Sequence, residues 1–278
     1  MIHIVTALAC EANPIIQHYH LRKSTRAHGF PVYSNETMTL IISGMGKFAA
    51  ASAVGYLQAL TNCLAGDNSA YAMPHCWFNV GIAGHKTLEL GTAVLAHRVS
   101  DASAQQRFYP CFTFELPCMS ADVVSVEHAE TSYALDSAYD MEALGFCAAA
   151  SRFSSFELIH SLKIISDNQS TSHEHITKYV GEELVGNQLL VIENLIDEFT
   201  KLQQTTMTMM VPPEDYRLLT ERFRFTTTQQ NQLKRLLQRW HVLEHDRVTE
   251  QLQIQKFKNA KQVLAALEAH LQTKVFVC

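Results

Sequence analysis

Three acids stand where a strand-like segment gives way to a helix-like one: Glu11 after residues 2–8, Glu142 in Asp140-Met141-Glu142-Ala143, and Asp167 in Ser166-Asp167-Asn168. A carboxyl group placed there can give or take a proton, or hold a hydroxyl. It can equally do no more than begin a helix, where acids suit the macrodipole and cap free N–H groups. Residue type leaves both readings open, and the surrounding elements set which is possible.

Composition narrows the class. The 278-residue chain is 47% hydrophobic and 18% charged, enough apolar material for at least one sizeable domain. A net charge of −5 with 22 basic residues offers no general basic face for nucleic acid, and a small polar ligand is easier to accommodate. Seven cysteines, an odd number without a C-x-x-C pair, predict buried free thiols in a reducing cytosol. The N-terminal residues lack the features of a signal peptide, and no apolar run approaches the ~20 residues that span a bilayer, so a cytoplasmic protein outside the membrane is expected. The 14 histidines form no H-E-x-x-H or Cys/His finger pattern, and no metal is expected.

Taken in order, residues 2–8 read as a buried strand, with Pro14 in the first turn of the following helix. Short strands over 31–34 and 38–42 lead to Ser43-Gly44-Met45-Gly46-Lys47, where glycines let backbone approach a ligand, and then to an alanine-rich helix over 47–64. The spacing does not match a phosphate loop. Residues 65–74 read as a surface loop, and 76–80 as a strand running into Gly81-Ile82-Ala83-Gly84-His85. Further strands are expected over 92–99, 107–114, 122–126 and 162–165, with a helix over 143–153. Strands alternating with helices, polar residues at the strand ends, predict an α/β fold with a central mixed sheet flanked by helices. Ligands of such folds sit beyond the carboxyl ends of the strands.

Five segments, Thr6-Ala7-Leu8-Ala9-Cys10-Glu11, Ser43-Gly44-Met45-Gly46-Lys47, Asn79-Val80-Gly81-Ile82-Ala83-Gly84, Asp140-Met141-Glu142-Ala143 and Ile165-Ser166-Asp167, occur in one order. In them the chain resembles the purine nucleoside phosphorylase and nucleosidase superfamily, most closely its methylthioadenosine/adenosylhomocysteine nucleosidase-like branch. The resemblance implies cleavage of an N-glycosidic bond, with no cofactor. It makes Asp167 the acid that protonates the leaving base at N7, with Asn168 beside it to orient the base. It makes Glu142 the acceptor of ribose hydroxyl hydrogen bonds and Met141 the residue packed on the sugar, with Gly44, Ala83 and Gly84 lining the substrate site. Glu11 is the residue it offers as activator of water. Here the chain departs from the family, whose catalytic glutamate falls opposite Ala12 in a gap-free alignment and stands among several acids.

Phosphorolysis is the chemical alternative. A phosphate nucleophile needs several cationic donors, yet Asn79 stands where many phosphorylases carry arginine, leaving Lys47 or Arg98 to contribute charge. A noncatalytic nucleoside-binding module is the other class. The loop after residues 122–126 lacks the family's base-binding segment, and Glu127 and His128 are its candidates to read a base. Beyond Asp167, residues 176–202 read as the final core helix, 205–210 as a threonine and methionine-rich stretch, and Val211-Pro212-Pro213 as a boundary. The expected organisation is a nucleosidase-like domain over 1–205 and a helical extension over 206–278. The extension reads as about three amphipathic helices, the second capped by Thr227 or Thr228, with a short strand over 274–277. Its Arg222, Arg224, Lys234, Arg235 and Arg239 read as a solvated face. The superfamily implies self-association, as a dimer.

Overall fold

A computed structural model describes residues 1–65, 75–103, 105–210, 214–244 and 248–274 of the chain. Most of the expected loop over 65–74, the Val211-Pro212-Pro213 boundary and residues 275–277 of the expected C-terminal strand lie outside the described residues; Lys274 ends a helix. The chain forms two compact units, Met1–Thr205 and Thr206–Cys278.

The first unit is a mixed α/β layer structure. Its strands are β1 (Ile2–Thr6), β2 (Arg22–Lys23), β3 (Val32–Ser34), β4 (Met38–Ile42), β5 (Cys76–His85), β6 (Ala93–Asp101), β7 (Arg107–Phe108), β8 (Met119–Ser125), β9 (Ala138–Asp140) and β10 (Ile159–Asp167). β1, rich in β-branched residues and buried throughout, pairs in parallel with β4 on one side and β5 on the other. β5 also pairs in parallel with β10 and antiparallel with β9. The run β5-β10-β6-β8-β9 returns to β5 and closes a ring, while β5-β1-β4-β3-β2 continues as an open sheet. The carboxyl ends of β1, β5, β9 and β10 lie together, which is where the acids are.

Helices α1 (Ala9–His18), α2 (Lys47–Ala65), α3 (Ala143–Ala150), α4 (Lys178–Asn187) and α5 (Leu189–Met210) accompany the sheet. Two apolar clusters, one around Trp77, Ile41, Leu57 and Phe146 and one around Ile4, Phe78, Leu162 and Phe199, hold the sheet to its helices. α2 and α3 approach so closely that a Cβ on Gly145 would lie 1.9 Å from the Lys47 carbonyl oxygen.

Several elements differ from expectation for physical reasons. β5 continues through its glycines to His85, because β9 and β10 supply partners on either side. β10 likewise runs to Asp167, which ends the strand instead of capping a helix. The strand expected over 107–114 pairs only at Arg107–Phe108. The helix expected over 143–153 ends at Ala150, and the one over 176–202 is two helices, broken at Gln188, whose side chain donates to the Gly91 carbonyl. Residues 205–210 continue α5. Cys10, Cys76 and Cys147 are buried, but Cys111 is exposed and Cys118 half-buried.

In the second unit, α6 (Glu214–Arg222), α7 (Thr227–Glu244), α8 (Val248–Gln251) and α9 (Ala260–Lys274) enclose a core around Leu233, Leu237, Trp240, Val263 and Leu267. Thr226 caps α7, its hydroxyl accepting the Gln229 N–H, in place of Thr227 or Thr228. Lys234 is not on the solvated face with Arg235 and Arg239. It is buried, its ammonium 5.5 Å from the Tyr216 ring centre. No helix among the described residues is long and apolar enough to cross a membrane.

Candidate active site

A cavity of about 240 Å³ opens beyond the carboxyl ends of β1, β5, β9 and β10. Glu11, Glu142 and Asp167 all line it, with Met45, Ala83, Gly84, Met141, His173 and Ile176 among the other walls. Of the sequence-predicted residues, Gly44 and Asn168 do not. Gly44 sets the turn with φ 83° and donates its N–H to the Ala7 carbonyl, which brings its neighbour Met45 to the cavity. Asn168 is used in a turn, accepting the Ser170 and Thr171 N–H groups and donating to the Leu88 carbonyl at 2.9 Å. Glu127 and His128 are also outside the wall; Val126, Ala129 and Glu130 of that loop form it instead.

Glu11 sits in the first turn of α1. Its Oε2 accepts the N–H groups of Ala7 and Leu8, each at 2.8 Å, and its Oε1 that of Ile82 at 3.0 Å. The helix start therefore fixes the carboxyl group, and β5 fixes its other edge. Burial raises its pKa, the three N–H donors and Lys163 opposing.

Asp140 begins α3. Its Oδ2 accepts the N–H groups of Glu142 and Ala143, at 3.2 and 2.7 Å, and its Oδ1 the Ser125 hydroxyl at 2.6 Å. Because Asp140 serves the helix start, Glu142 is free to reach across to the turn before α2, where Oε1 accepts the Gly46 N–H at 2.7 Å. Burial first, then the neighbouring Asp140, lift the Glu142 pKa to about 7.

Beneath these acids lies Lys163 of β10, fully buried, its Nζ 2.6 Å from Asp140 Oδ2. At this distance the two opposite charges form a fully buried ion pair. Burial would lower its pKa, but Asp140, Glu142 and Glu11 outweigh it and the shift is upward. Gly81 makes room for the group: a Cβ there would lie 3.1 Å from Glu11 Oε1 and 3.3 Å from Lys163 Nζ. Asp167 has its Oδ1 bonded by the Ser166 hydroxyl at 2.6 Å and its Oδ2 by the Tyr133 hydroxyl. Lys47 and Arg98 are each paired with a carboxylate, Glu127 and Asp122.

Solved structures share this architecture. The methylthioadenosine/S-adenosylhomocysteine nucleosidase of Neisseria meningitidis, in complex with methylthio-immucillin-A, matches with a TM-score of 0.53 at 17% identity, over 69% of this chain and 98% of that one. This is a nucleosidase fold. The methylthioadenosine nucleosidase of Arabidopsis thaliana matches with a TM-score of 0.53 at 13% identity, over 73% of this chain and 95% of that one. The futalosine hydrolase of Helicobacter pylori does so with 0.51 at 15% identity, over 71% and 97%. No family model and no curated protein matches the sequence. At these identities the likeness is one of fold, and the roles of side chains rest on this chain's own geometry.

Within the nucleosidase fold, two side chains that sequence reasoning missed stand at the site. Lys163 carried a signal, a lysine inside the apolar run Leu162-Lys163-Ile164-Ile165, since a buried lysine needs a partner. Tyr133 carried none, lying in a polar loop.

Proposed function

We propose that the chain hydrolyses the N-glycosidic bond of a purine nucleoside. The observation that carries this reading is that Glu11, Glu142 and Asp167, from three separate strand ends, line one cavity. Asp167 gives its proton to N7 of the base as the bond from the ribose anomeric carbon breaks and its electron pair moves to the base. Glu142 accepts from the ribose hydroxyls, and its charge favours the oxocarbenium-like sugar of the transition state. Met141 packs on the sugar. Glu11 takes the proton of the water whose oxygen bonds to the anomeric carbon. Structures sharing the fold hold methylthio-immucillin-A and adenine, which supports a purine nucleoside of the 5′-thio-adenosine type.

Water is favoured over phosphate as nucleophile by the charges at the site. Among the described residues, Glu11, Asp140 and Glu142 are buried there beside Lys163, while Lys47 and Arg98 are engaged with other carboxylates. A phosphate dianion would meet an excess of carboxylates. The test is incubation with methylthioadenosine, adenosylhomocysteine, inosine and adenosine, with and without phosphate, beside Asp167→Asn. Base release independent of phosphate and reduced ~10²-fold or more in the variant is expected. Tight binding without turnover by the wild type would indicate a binding module and sink the reading.

A further inference from the structure

Asp167 enters the cavity with both carboxyl oxygens held. Ser166, its chain neighbour, holds Oδ1, and Tyr133 holds Oδ2 from the loop between β8 and β9. That loop adopts a costly backbone to deliver the tyrosine: Tyr133 has φ 45°, a left-handed conformation that L side chains rarely adopt. Its ring is buried edge-on against Tyr139 at 6.0 Å, and the Tyr139 hydroxyl in turn accepts the Leu135 N–H at 2.7 Å. Gly84 opens the space, since a Cβ there would lie 2.5 Å from Asp167 Oδ2 and 2.8 Å from Tyr133 Cε1. Phenylalanine would fill this niche as well as tyrosine does. What the hydroxyl adds is the bond to Asp167.

We propose that Tyr133 is a positioning residue for Asp167, holding the acid in one orientation toward the leaving base. The proposal rests on the reading of Asp167 as the acid. The Tyr133 hydroxyl donates to Oδ2 whether the carboxyl is ionised or carries its proton on Oδ1, so Tyr133 keeps its hold before and after that proton leaves. Fixing the carboxyl group in advance removes a reorientation from the reaction step.

The two roles of Tyr133, structural and positioning, separate by leaving group. 4-Nitrophenyl β-D-ribofuranoside releases nitrophenolate, which departs without a proton from an acid, whereas a purine needs one. Wild type, Tyr133→Phe and Asp167→Asn are compared on that compound and on whichever of the four nucleosides is cleaved fastest. For Tyr133→Phe, kcat on the nucleoside is expected to fall ~10-fold or more with KM within about twofold, and nitrophenyl riboside hydrolysis to stay within about twofold. Equal losses on both substrates would mark a structural role and overturn the proposal. An active wild type, a disabled Asp167→Asn and an unaffected Tyr133→Phe would remove Tyr133 alone. No base release by the wild type would remove the acid reading, and this proposal with it.

Discussion

Lys163 and Asp140 meet at 2.6 Å with neither side chain exposed. The pair joins β10 to the turn that begins α3, so it fixes Glu142 relative to Asp167. Breaking such a pair leaves an uncompensated buried charge. Lys163→Met is expected to lower unfolding stability by ~3–5 kcal/mol, and Lys163→Met with Asp140→Asn by less than the sum of the two single changes. Urea unfolding of all four proteins measures it; strict additivity would show that the two groups do not interact.

Glu142 makes stability depend on pH. Its pKa rises from 4.5 to about 7 on folding, so between those values the folded state keeps a proton that the unfolded chain has released. Its stabilising contribution is complete below about 4.5 and is lost as pH rises through about 7. Glu142→Gln removes this slope. Unfolding free energies at pH 5 and pH 7.5 should therefore lie closer together in the variant, and an unchanged difference would assign the slope elsewhere.

Gly145→Ala tests the contact between α2 and α3. Its new Cβ would lie 1.9 Å from the Lys47 carbonyl oxygen, which backbone must move to relieve. A loss of ~1–3 kcal/mol is expected, with kcat/KM falling because Gly46, the next residue back, holds Glu142. Thermal melts and initial rates report the two effects; full stability would mean that the helices part freely.

Glu11→Gln changes two things at once. The amide keeps one acceptor oxygen where the carboxylate offers two to the N–H groups of Ala7, Leu8 and Ile82, so stability should drop by ~1–3 kcal/mol. Base release should drop ~10²-fold or more, beyond any unfolded fraction. Measured on folded protein, unaltered turnover would leave Glu11 as a helix-start residue only.

The fold was legible because hydrophobic runs and glycines mark strand ends locally. Residues 2–6 and 38–42 declare themselves by β-branched and aliphatic content, and the acids by their motifs. What stayed hidden depends on distant partners. β10 reaches Asp167 only because β5 continues beside it, and Asp140 takes over the helix start only because Lys163 and Ser125 converge on it. Tyr133 sits in the segment Glu130-Thr131-Ser132-Tyr133-Ala134-Leu135-Asp136, which has neither strand nor helix periodicity and whose path is set by tertiary contacts. Asn168, a polar neighbour of an acid, has its side chain engaged in its own turn.

The ring formed by β5, β10, β6, β8 and β9 bears on edge-to-edge pairing with other chains. A strand within a closed ring has no unpaired backbone to offer another chain. At the outer end of the open sheet stands β2, two residues long and made of exposed Arg22 and Lys23. A short, cationic border repels a second copy of itself and gives an incoming strand little to template on. Of the strands whose ends bear the acids, β9 and β10 lie in the ring and β1 lies between β4 and β5, so none of them is a sheet edge.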